Sequence, residues 1–293
     1  MIGGHPPGTP ATTSDTSRAA LVVAGVTKSY QIGPEPEVAL DDCSLMLEAG
    51  KLTVLIGPSG SGKSTLINII AGYESADAGS VLLDGQPVSG PSADRLVVFQ
   101  EAALFPWMTT LQNVAYGPKV QRQWPRDKIA AEAMRLLEKV GLREFRDKYP
   151  SQLSGGMQRR AELARAMINE PRLMLLDEPF RGLDAMTREL MQEYFLALYE
   201  EKRQTVLFIT SEIDEAIFLA DRLLLMSNKP GRIIKAIDIA LPRPRQAKLL
   251  TSQAYLAYKE EALEILHEEA LKAFAGGSKA AADFVEAYAS REQ

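Results

Sequence analysis

The residues best suited to chemistry lie between Gly57 and Thr65, in the run GPSGSGKST. Their spacing matches G-x-x-x-x-G-K-[ST], the phosphate-binding loop (P-loop), in which glycines let backbone N–H groups wrap a phosphate chain. Lys63 is expected to reach the β- and γ-phosphates of a nucleotide, and the Ser64 hydroxyl to bind Mg²⁺. The apolar run TVLI before the loop predicts a strand, and STLINIIA after it predicts a helix whose N-terminus attracts anions. The predicted phosphate-binding residues are Gly57, Ser59, Gly60, Ser61, Gly62, Lys63, Ser64 and Thr65.

A pair of carboxylates follows a second apolar run, LMLLDEP at 173–179. A buried strand that ends in Asp177 would place this carboxylate at the carboxyl edge of a sheet, near the metal of the P-loop. Glu178 could then orient or deprotonate a water for in-line attack on the γ-phosphate. Taken alone, the pair is equally consistent with a plain turn, but beside a P-loop it favours hydrolysis.

Composition narrows the class of protein. The chain of 293 residues has a net charge of −5, which argues against a nucleic-acid binder with a basic footprint. No apolar stretch approaches the roughly 18 residues that a membrane span needs. Residues 1–19, rich in Gly, Pro, Ser and Thr, lack the apolar core of a secretory signal and predict a disordered tail. Cys43 is the only cysteine, so no intrachain disulfide can form, which fits a reducing cytoplasm.

Short apolar runs alternate with helical patterns along the chain. This alternation predicts an α/β fold in which helices cover a parallel sheet. Asp127 is expected to cap a helix that stops at Gly141, and a further helix is predicted over 155–168. Two more helices are predicted near the end of the chain, over 254–274 and 280–289.

The run LSGGMQRR at 153–160 decides between the possible kinds of P-loop protein. Ser154 is suited to cap a helix, and Gly155 and Gly156 leave its first turn bare, so that a phosphate can come close. Together with the P-loop and the acidic pair, this run resembles the signature of the ATP-binding cassette (ABC) family of transport ATPases. The resemblance implies that the signature of one subunit closes over ATP held by the P-loop of another, in a head-to-tail dimer. The signature residues it implies are Ser154, Gly155, Gly156 and Gln158.

The resemblance extends over about 21–241 and implies an architecture as well. That architecture is a P-loop NTPase (RecA-like) core with an antiparallel β subdomain and a helical insertion subdomain, plus a C-terminal helical tail. The predicted division is a tail over 1–19, an ATPase domain over 20–241 and a C-terminal helical extension over 242–293. Within the ATPase domain, the core covers 20–98 and 169–241, and the helical insertion covers 99–168. Packing on its own subunit is favoured for the extension, with docking on the dimer mate or regulation as alternatives.

Other site residues are implied by the resemblance alone. Tyr30, in VTKSYQ, matches the aromatic residue that stacks on adenine, although a tyrosine of the core or surface is the alternative. Gln100, in VVFQE, matches the glutamine that contacts Mg²⁺ and the attacking water, although a polar strand end is the alternative. Leu183 and Asp184, in FRGLD, match the loop that links the two nucleotide sites. The implied Mg²⁺ ligands are Ser64, Gln100 and Asp177.

One position departs from the family pattern. Where the family carries a histidine that contacts the γ-phosphate, this chain reads Thr210-Ser211-Glu212. A serine hydroxyl can donate a hydrogen bond, but it cannot carry a positive charge. Either Glu178 suffices for a slower enzyme, or the chain is the weakened or regulatory half-site of a heteromeric transporter, and the sequence leaves both open.

The run FQEAALFPWMTTLQNVAYG is similar to the nitrate, sulfonate, taurine and bicarbonate importer subfamily. This resemblance implies an ATP-hydrolysing translocase subunit on the cytoplasmic face of the membrane, serving a small anionic solute. Its partners would be transmembrane permease subunits, a second ATPase subunit and, indirectly, an external solute-binding protein, with no nucleic acid. Phe105, Pro106 and Trp107 would lie where the permease docks, with an aromatic plug inside the insertion as the alternative. A soluble ABC protein of DNA repair or translation is the rival class, but the chain has neither a long coiled coil nor a second cassette.

Overall fold

The computed structural model describes residues 19–31, 33–101, 103–122 and 124–275, which form two β-sheets and their covering helices. The strands are β1 (Ala19–Gln31), β2 (Pro36–Glu48), β3 (Leu52–Ile56), β4 (Ala78–Leu83), β5 (Gln86–Pro87), β6 (Arg95–Val98), β7 (Leu173–Asp177), β8 (Thr205–Thr210), β9 (Arg222–Met226) and β10 (Ile233–Asp238). The α-helices are α1 (Lys63–Ala71), α2 (Thr110–Val120), α3 (Arg126–Lys139), α4 (Gly155–Met167), α5 (Ala185–Lys202), α6 (Ile213–Leu219) and α7 (Gln253–Ala275).

The larger sheet has six strands in the order β10-β9-β3-β8-β7-β6, all parallel except β10. Its central strands β3 and β8 are buried along their whole length, as expected when both faces of a parallel sheet are covered. The carboxyl ends of β3, β7 and β8 meet at one edge. This α/β arrangement confirms the predicted fold class and brings three loops of the chain together.

Side chains of the central strands alternate between two cores. On β3, Val54 and Ile56 join the core beneath the helical segments, whereas Leu55 joins the core beneath α1 and the smaller sheet. On β8, Phe208 faces the first core and Ile209 the second. The smaller sheet is antiparallel, in the order β2-β1-β4-β5. It closes the α1 face of the larger sheet.

The segment between β6 and β7 is helical and contains α2, α3 and α4. The prediction that Asp127 caps α3 is wrong, because the helix begins at Arg126 with Pro125 in the N-cap position. Pro125 has φ −55°, which suits the entry to a helix, and Asp127 lies in the first turn, where a carboxylate still favours the positive end of the dipole. The sequence analysis did not predict α2, which contains Pro118. Thr109 and Gln112 form a capping box at the start of this helix.

The last described element, α7, packs against α6 and β9. Tyr255 of α7 is fully buried, and its hydroxyl donates to Asp214 Oδ1 at 2.7 Å, while Lys259 reaches the same carboxylate. The predicted tail over 1–19 lies outside the described residues except at Ala19, where β1 begins, and the predicted helix over 280–289 lies outside them entirely. Within the described ranges, no helix has the length and apolar character needed to cross a membrane.

Candidate active site

The P-loop leaves the end of β3 and turns into α1 through conformations that need glycine. Gly62 has φ 93°, and a Cβ there would lie 2.8 Å from the Ala39 carbonyl oxygen. A Cβ on Gly57 would lie 2.9 Å from Met226. Both distances are shorter than real Cβ contacts, so the loop fits between β2 and the end of β9 only without side chains at these positions.

The loop surrounds the ammonium group of Lys63. Lys63 Nζ donates to the carbonyl oxygens of Gly57 at 2.9 Å and of Pro58 at 2.8 Å. Burial lowers the pKa of Lys63, while the negative charges of Glu178 and Asp177 oppose that shift. The N-terminus of α1, itself wholly described, has neither a side-chain cap nor an acidic residue in its first turn. Its N–H groups are therefore available to an anion.

The two carboxylates of the LMLLDEP run reach the same edge from β7. The Asp177 carboxylate accepts a hydrogen bond from the Ser64 hydroxyl, and burial raises its pKa despite that bond. Glu178 N donates to the Ile209 carbonyl oxygen at 3.0 Å, which fixes the turn after β7 against β8. Glu178 adopts a left-handed backbone conformation with φ 44°, a conformation that costs non-glycine residues about 1–3 kcal/mol and is concentrated at functional sites.

A cavity of about 280 Å³ joins these groups, and the P-loop, Asp177 and Glu178 line it. Tyr30 and Gln100, which lie far from the P-loop in sequence, line the same cavity. Tyr30 is half-buried, and its hydroxyl donates to Glu74 Oε2 at 2.5 Å. Gln100 is exposed at the end of β6, and its carbonyl oxygen accepts a hydrogen bond from Arg159 of α4. The structure therefore brings together residues that the sequence connects only through the resemblance.

The LSGG run lies outside the described lining of the P-loop cavity. Ser154 Oγ accepts from Met157 N at 3.3 Å, which confirms the predicted cap of α4. Gln158 Nε2 donates to Pro150 O at 2.9 Å and so holds the segment before the helix. Among the described residues that line the P-loop cavity, none belongs to 154–158. A nucleotide in this cavity therefore leaves the signature of its own chain unused.

Comparisons with known proteins agree with this geometry. A family model described as "ABC transporter" matches residues 40–181. The nitrate import ATP-binding protein NrtD of Synechococcus elongatus is 40% identical over 261 residues, which cover 88% of this chain and 95% of that protein. The taurine import ATP-binding protein TauB of Yersinia pestis is 45% identical over 219 residues, which cover 75% of this chain and 84% of that protein. A dimeric structure of an ATP-binding cassette in a post-hydrolysis state, bound to ADP and Pi, matches with a TM-score of 0.65 at 29% identity and covers 76% of this chain and 100% of the other. The chain belongs to the ABC transporter family.

Membership in this family makes the protein an enzyme that binds and hydrolyses ATP. The predicted dimer-loop residues, Leu183 and Asp184, lie between β7 and α5 and are not among the described residues that line the cavity. Asp184 is exposed and caps α5, with its Oδ1 accepting from Thr187 N at 3.0 Å. Leu183 is half-buried against the larger core. Both follow Glu178 within six residues in the segment that joins β7 to α5.

Ser211 is exposed and follows β8, but it is not among the described residues that line the cavity of the ABC ATPase. The segment it starts is fixed by neighbours, since Glu212 N donates to Thr210 Oγ1 at 3.0 Å. Glu212 also pairs with Arg188 of α5 at 3.5 Å. The position thus carries no positive charge of its own.

The sequence analysis missed three lining residues, Ala39, Arg181 and Lys229. Arg181 Nη1 lies 2.9 Å from Glu178 Oε2. Lys229 forms an ion pair with Glu37 of β2. The signal for Arg181 was its distance of three residues from Glu178 at a strand end, whereas Lys229 is brought to the cavity by the larger sheet alone.

Proposed function

We propose that this ABC ATPase works as a head-to-tail nucleotide-sandwich dimer that energises a membrane importer of a small anionic solute. The observation that carries the proposal is the division of the site: P-loop and carboxylates meet in one cavity, while the signature helix lies off it. A second copy must then supply Ser154, Gly155, Gly156 and Gln158. The dimeric cassette structure similar to this chain supports such an assembly.

The donor set at the cavity fits Mg²⁺. The Ser64 hydroxyl already bonds the Asp177 carboxylate, so two hard oxygen ligands lie side by side next to the P-loop. The amide oxygen of Gln100, which lines the same cavity, would complete the protein's share of the ligands. Bound there with ATP, Mg²⁺ would neutralise charge on the β- and γ-phosphate oxygens.

The other residues divide the work of phosphoryl transfer to water. The P-loop N–H groups and Lys63 would hold the phosphate chain, and Tyr30 would pack against adenine. Glu178, held by its hydrogen bond to β8, would orient the attacking water in line with the leaving ADP and accept its proton. Leu183 and Asp184, one turn further, would pass the state of this site to the site of the second copy.

The permease would dock on the helical insertion at the cytoplasmic face of the membrane, with the solute-binding protein acting only through it. Trp107 is 69% exposed, and its ring lies 5.5 Å from that of Phe105. A groove of about 590 Å³ between α2 and α3 continues from Trp107 and is lined by apolar residues such as Leu111 and Ile129. Exposed aromatic residues beside an apolar groove suit a helix from a partner.

The solute class is taken from the relatives, because an ATPase subunit does not touch the transported molecule. Nitrate is an anion, and taurine carries a sulfonate, so the shared chemistry is a small anionic solute. The alternative interpretation, a weakened half-site paired with a different ATPase, is not favoured by these import ATP-binding relatives.

Steady-state ATP hydrolysis by the full chain with Mg²⁺ tests the proposal. We expect turnover that depends on Glu178 and is second-order in protein at low concentration, because each site needs a second chain. Ser154→Arg should abolish it, and mixing Ser154→Arg with Lys63→Ala should restore part of it, since one intact composite site forms in the mixed dimer. Hydrolysis by a monomer, or no restoration on mixing, would contradict the sandwich dimer.

A further inference from the structure

We infer that Arg181 is a further substrate-binding residue of the ATPase site: it binds the terminal phosphate of ATP and holds Glu178 in line for water activation. The inference rests on the proposed function and adds a residue to it. Arg181 supplies a positive charge at the cavity, whose described lining does not include Ser211.

The first support is the geometry of the turn after β7. Arg181 N donates to the Glu178 carbonyl oxygen at 3.1 Å, which closes a tight turn around Pro179 and Phe180. The same turn brings Arg181 Nη1 to 2.9 Å from Glu178 Oε2. The guanidinium thus contacts the carboxylate that activates water, from a main-chain position that the turn fixes.

The second support is the set of positive charges at the cavity. Among the described residues that line it, Lys63, Arg181 and Lys229 are cationic. Lys63 is bound by the carbonyl oxygens of the loop, and Lys229 pairs with Glu37. Arg181 is therefore the cation of this set that contacts the Glu178 carboxylate.

The third support is the ease with which this guanidinium can take a second partner. The Arg181 side chain is 60% exposed, and its hydrogen bond to Glu178 uses one N–H group. A guanidinium has five N–H donors in a planar fork that matches phosphate as well as carboxylate oxygens. An exposed ion pair contributes little by itself, so adding or exchanging a partner costs little. A terminal phosphate entering the cavity can bind Arg181 without displacing Glu178.

A simple surface ion pair is the competing explanation, and Arg172 offers the matched control. Arg172 pairs with Asp84 at 2.6 Å, and its side chain is 67% exposed, but it lies before β7, at the opposite end of the strand from Arg181. Removing either guanidinium removes one exposed ion pair. Only Arg181→Gln should change the handling of the terminal phosphate.

The test measures the affinity of the full chain for two Mg²⁺-bound nucleotides, ADP and the non-hydrolysable triphosphate adenylyl imidodiphosphate. We expect Arg181→Gln to weaken binding of the triphosphate about tenfold, as for the loss of one charged hydrogen bond, and to weaken binding of ADP by less than about twofold. Arg181→Lys should recover most of the loss, and Arg172→Gln should bind both nucleotides as the wild type does. In hydrolysis, Arg181→Gln should lower kcat about tenfold or more.

Equal changes for the two nucleotides, or none, would overturn the inference about Arg181. Faster hydrolysis by Arg181→Gln would also overturn it, because the ion pair would then restrain Glu178 rather than position it. Failure of the proposed function would give a different result. The wild type itself would then bind neither nucleotide, or its hydrolysis would not depend on Glu178. Circular dichroism melting curves of all variants separate these outcomes from misfolding.

Discussion

Two arginine–glutamate pairs with the same spacing of three residues have opposite surroundings in this ABC ATPase. In α4, Arg159 and Glu162 are 6% and 2% exposed and lie 2.5 Å apart. At the cavity, Arg181 and Glu178 are 60% and 12% exposed and lie 2.9 Å apart. The residue types are the same, so burial and neighbouring groups must decide what each pair does.

The buried pair fixes the chain between β6 and α2 to the signature helix. Arg159 Nη1 donates to Phe99 O at 2.9 Å, and Ala103 N donates to Glu162 Oε1 at 3.0 Å. Burial raises the pKa of Glu162 and lowers that of Arg159, which means that desolvation outweighs their attraction. The residues around Gln100 and the helix that begins at Ser154 are thereby joined, so this pair positions backbone.

The difference teaches that exposure separates a structural ion pair from one that can take a ligand. The polar atoms of the buried pair form hydrogen bonds with the backbone. Exchanging one member of the pair for a ligand would leave a charge unpaired in the protein interior. The pair at the cavity can accept a phosphate because water already reaches the arginine. The following predictions test that distinction, from the largest expected effect to the smallest.

Glu162→Gln should destabilise the protein by about 3–5 kcal/mol, because it leaves Arg159 buried without a counter-charge. Urea unfolding measures this. The control is Glu132→Gln in α3, where the Arg135 partner is 36% exposed, and a loss below about 1 kcal/mol is expected. Equal losses in the two variants would remove burial as the deciding factor.

Glu178→Gln should lower kcat by about 10²–10⁴-fold, because an amide cannot accept the proton of the attacking water. The free energy of unfolding should change by less than about 1 kcal/mol, since the arginine of this pair remains in water. Hydrolysis assays and urea unfolding of the same preparation give both numbers. A large loss of stability would show that this pair, too, is structural.

The double variant Arg159→Met/Glu162→Leu should be far more stable than the sum of its single variants predicts. Removing both charges also removes their desolvation cost, and Arg165, which lies 3.7 Å from Glu162, is partly exposed and can be solvated instead, so we expect stability within about 1–2 kcal/mol of the wild type. A double-mutant cycle by urea unfolding measures the coupling. Additive losses would mean that the hydrogen bonds to Phe99 and Ala103, rather than the charges, account for the stability.

Arg181→Gln should change the free energy of unfolding by less than about 1 kcal/mol, although it is expected to alter nucleotide binding. Its stability should match that of Arg172→Gln. A thermal melt of the two variants beside the wild type provides the comparison. A distinctly lower melting point for Arg181→Gln alone would indicate that the turn after β7 depends on this side chain.

As the pH falls, the Mg²⁺-dependent part of nucleotide affinity should begin to weaken at a higher pH than it would with an aspartate of ordinary pKa. Burial raises the pKa of Asp177, so its proton competes with Mg²⁺ at higher pH than usual, by up to about tenfold per pH unit below that pKa. The measurement is the ratio of affinities with and without Mg²⁺ across acidic pH. Asp177→Asn should flatten that ratio, and an unchanged slope in this variant would contradict the assignment.

Local patterns predicted much of this protein because the features concerned are local in the chain. The P-loop strand and helix, the Ser154 cap and the α/β alternation each depend on residues within a few positions of one another. The same reasoning made no prediction for α2, which contains Pro118, and it was wrong at Asp127, where Pro125 precedes it in the N-cap position. Around Asp127 two local signals compete for one helix start, the carboxylate and the proline two residues before it.

The sequence by itself determined the chemistry of this protein: a P-loop, two carboxylates at a strand end and a bare glycine helix start. It also determined the family, through motifs whose spacing is a property of the chain. Only the tertiary structure decided which of those groups meet, because parallel strands carry distant segments to one edge of a sheet. It placed Gln100 and Tyr30 at the P-loop, kept the signature of the same chain away from it, and made one arginine structural while leaving another open to phosphate. Burial decides that last distinction, and burial is a property of the folded molecule.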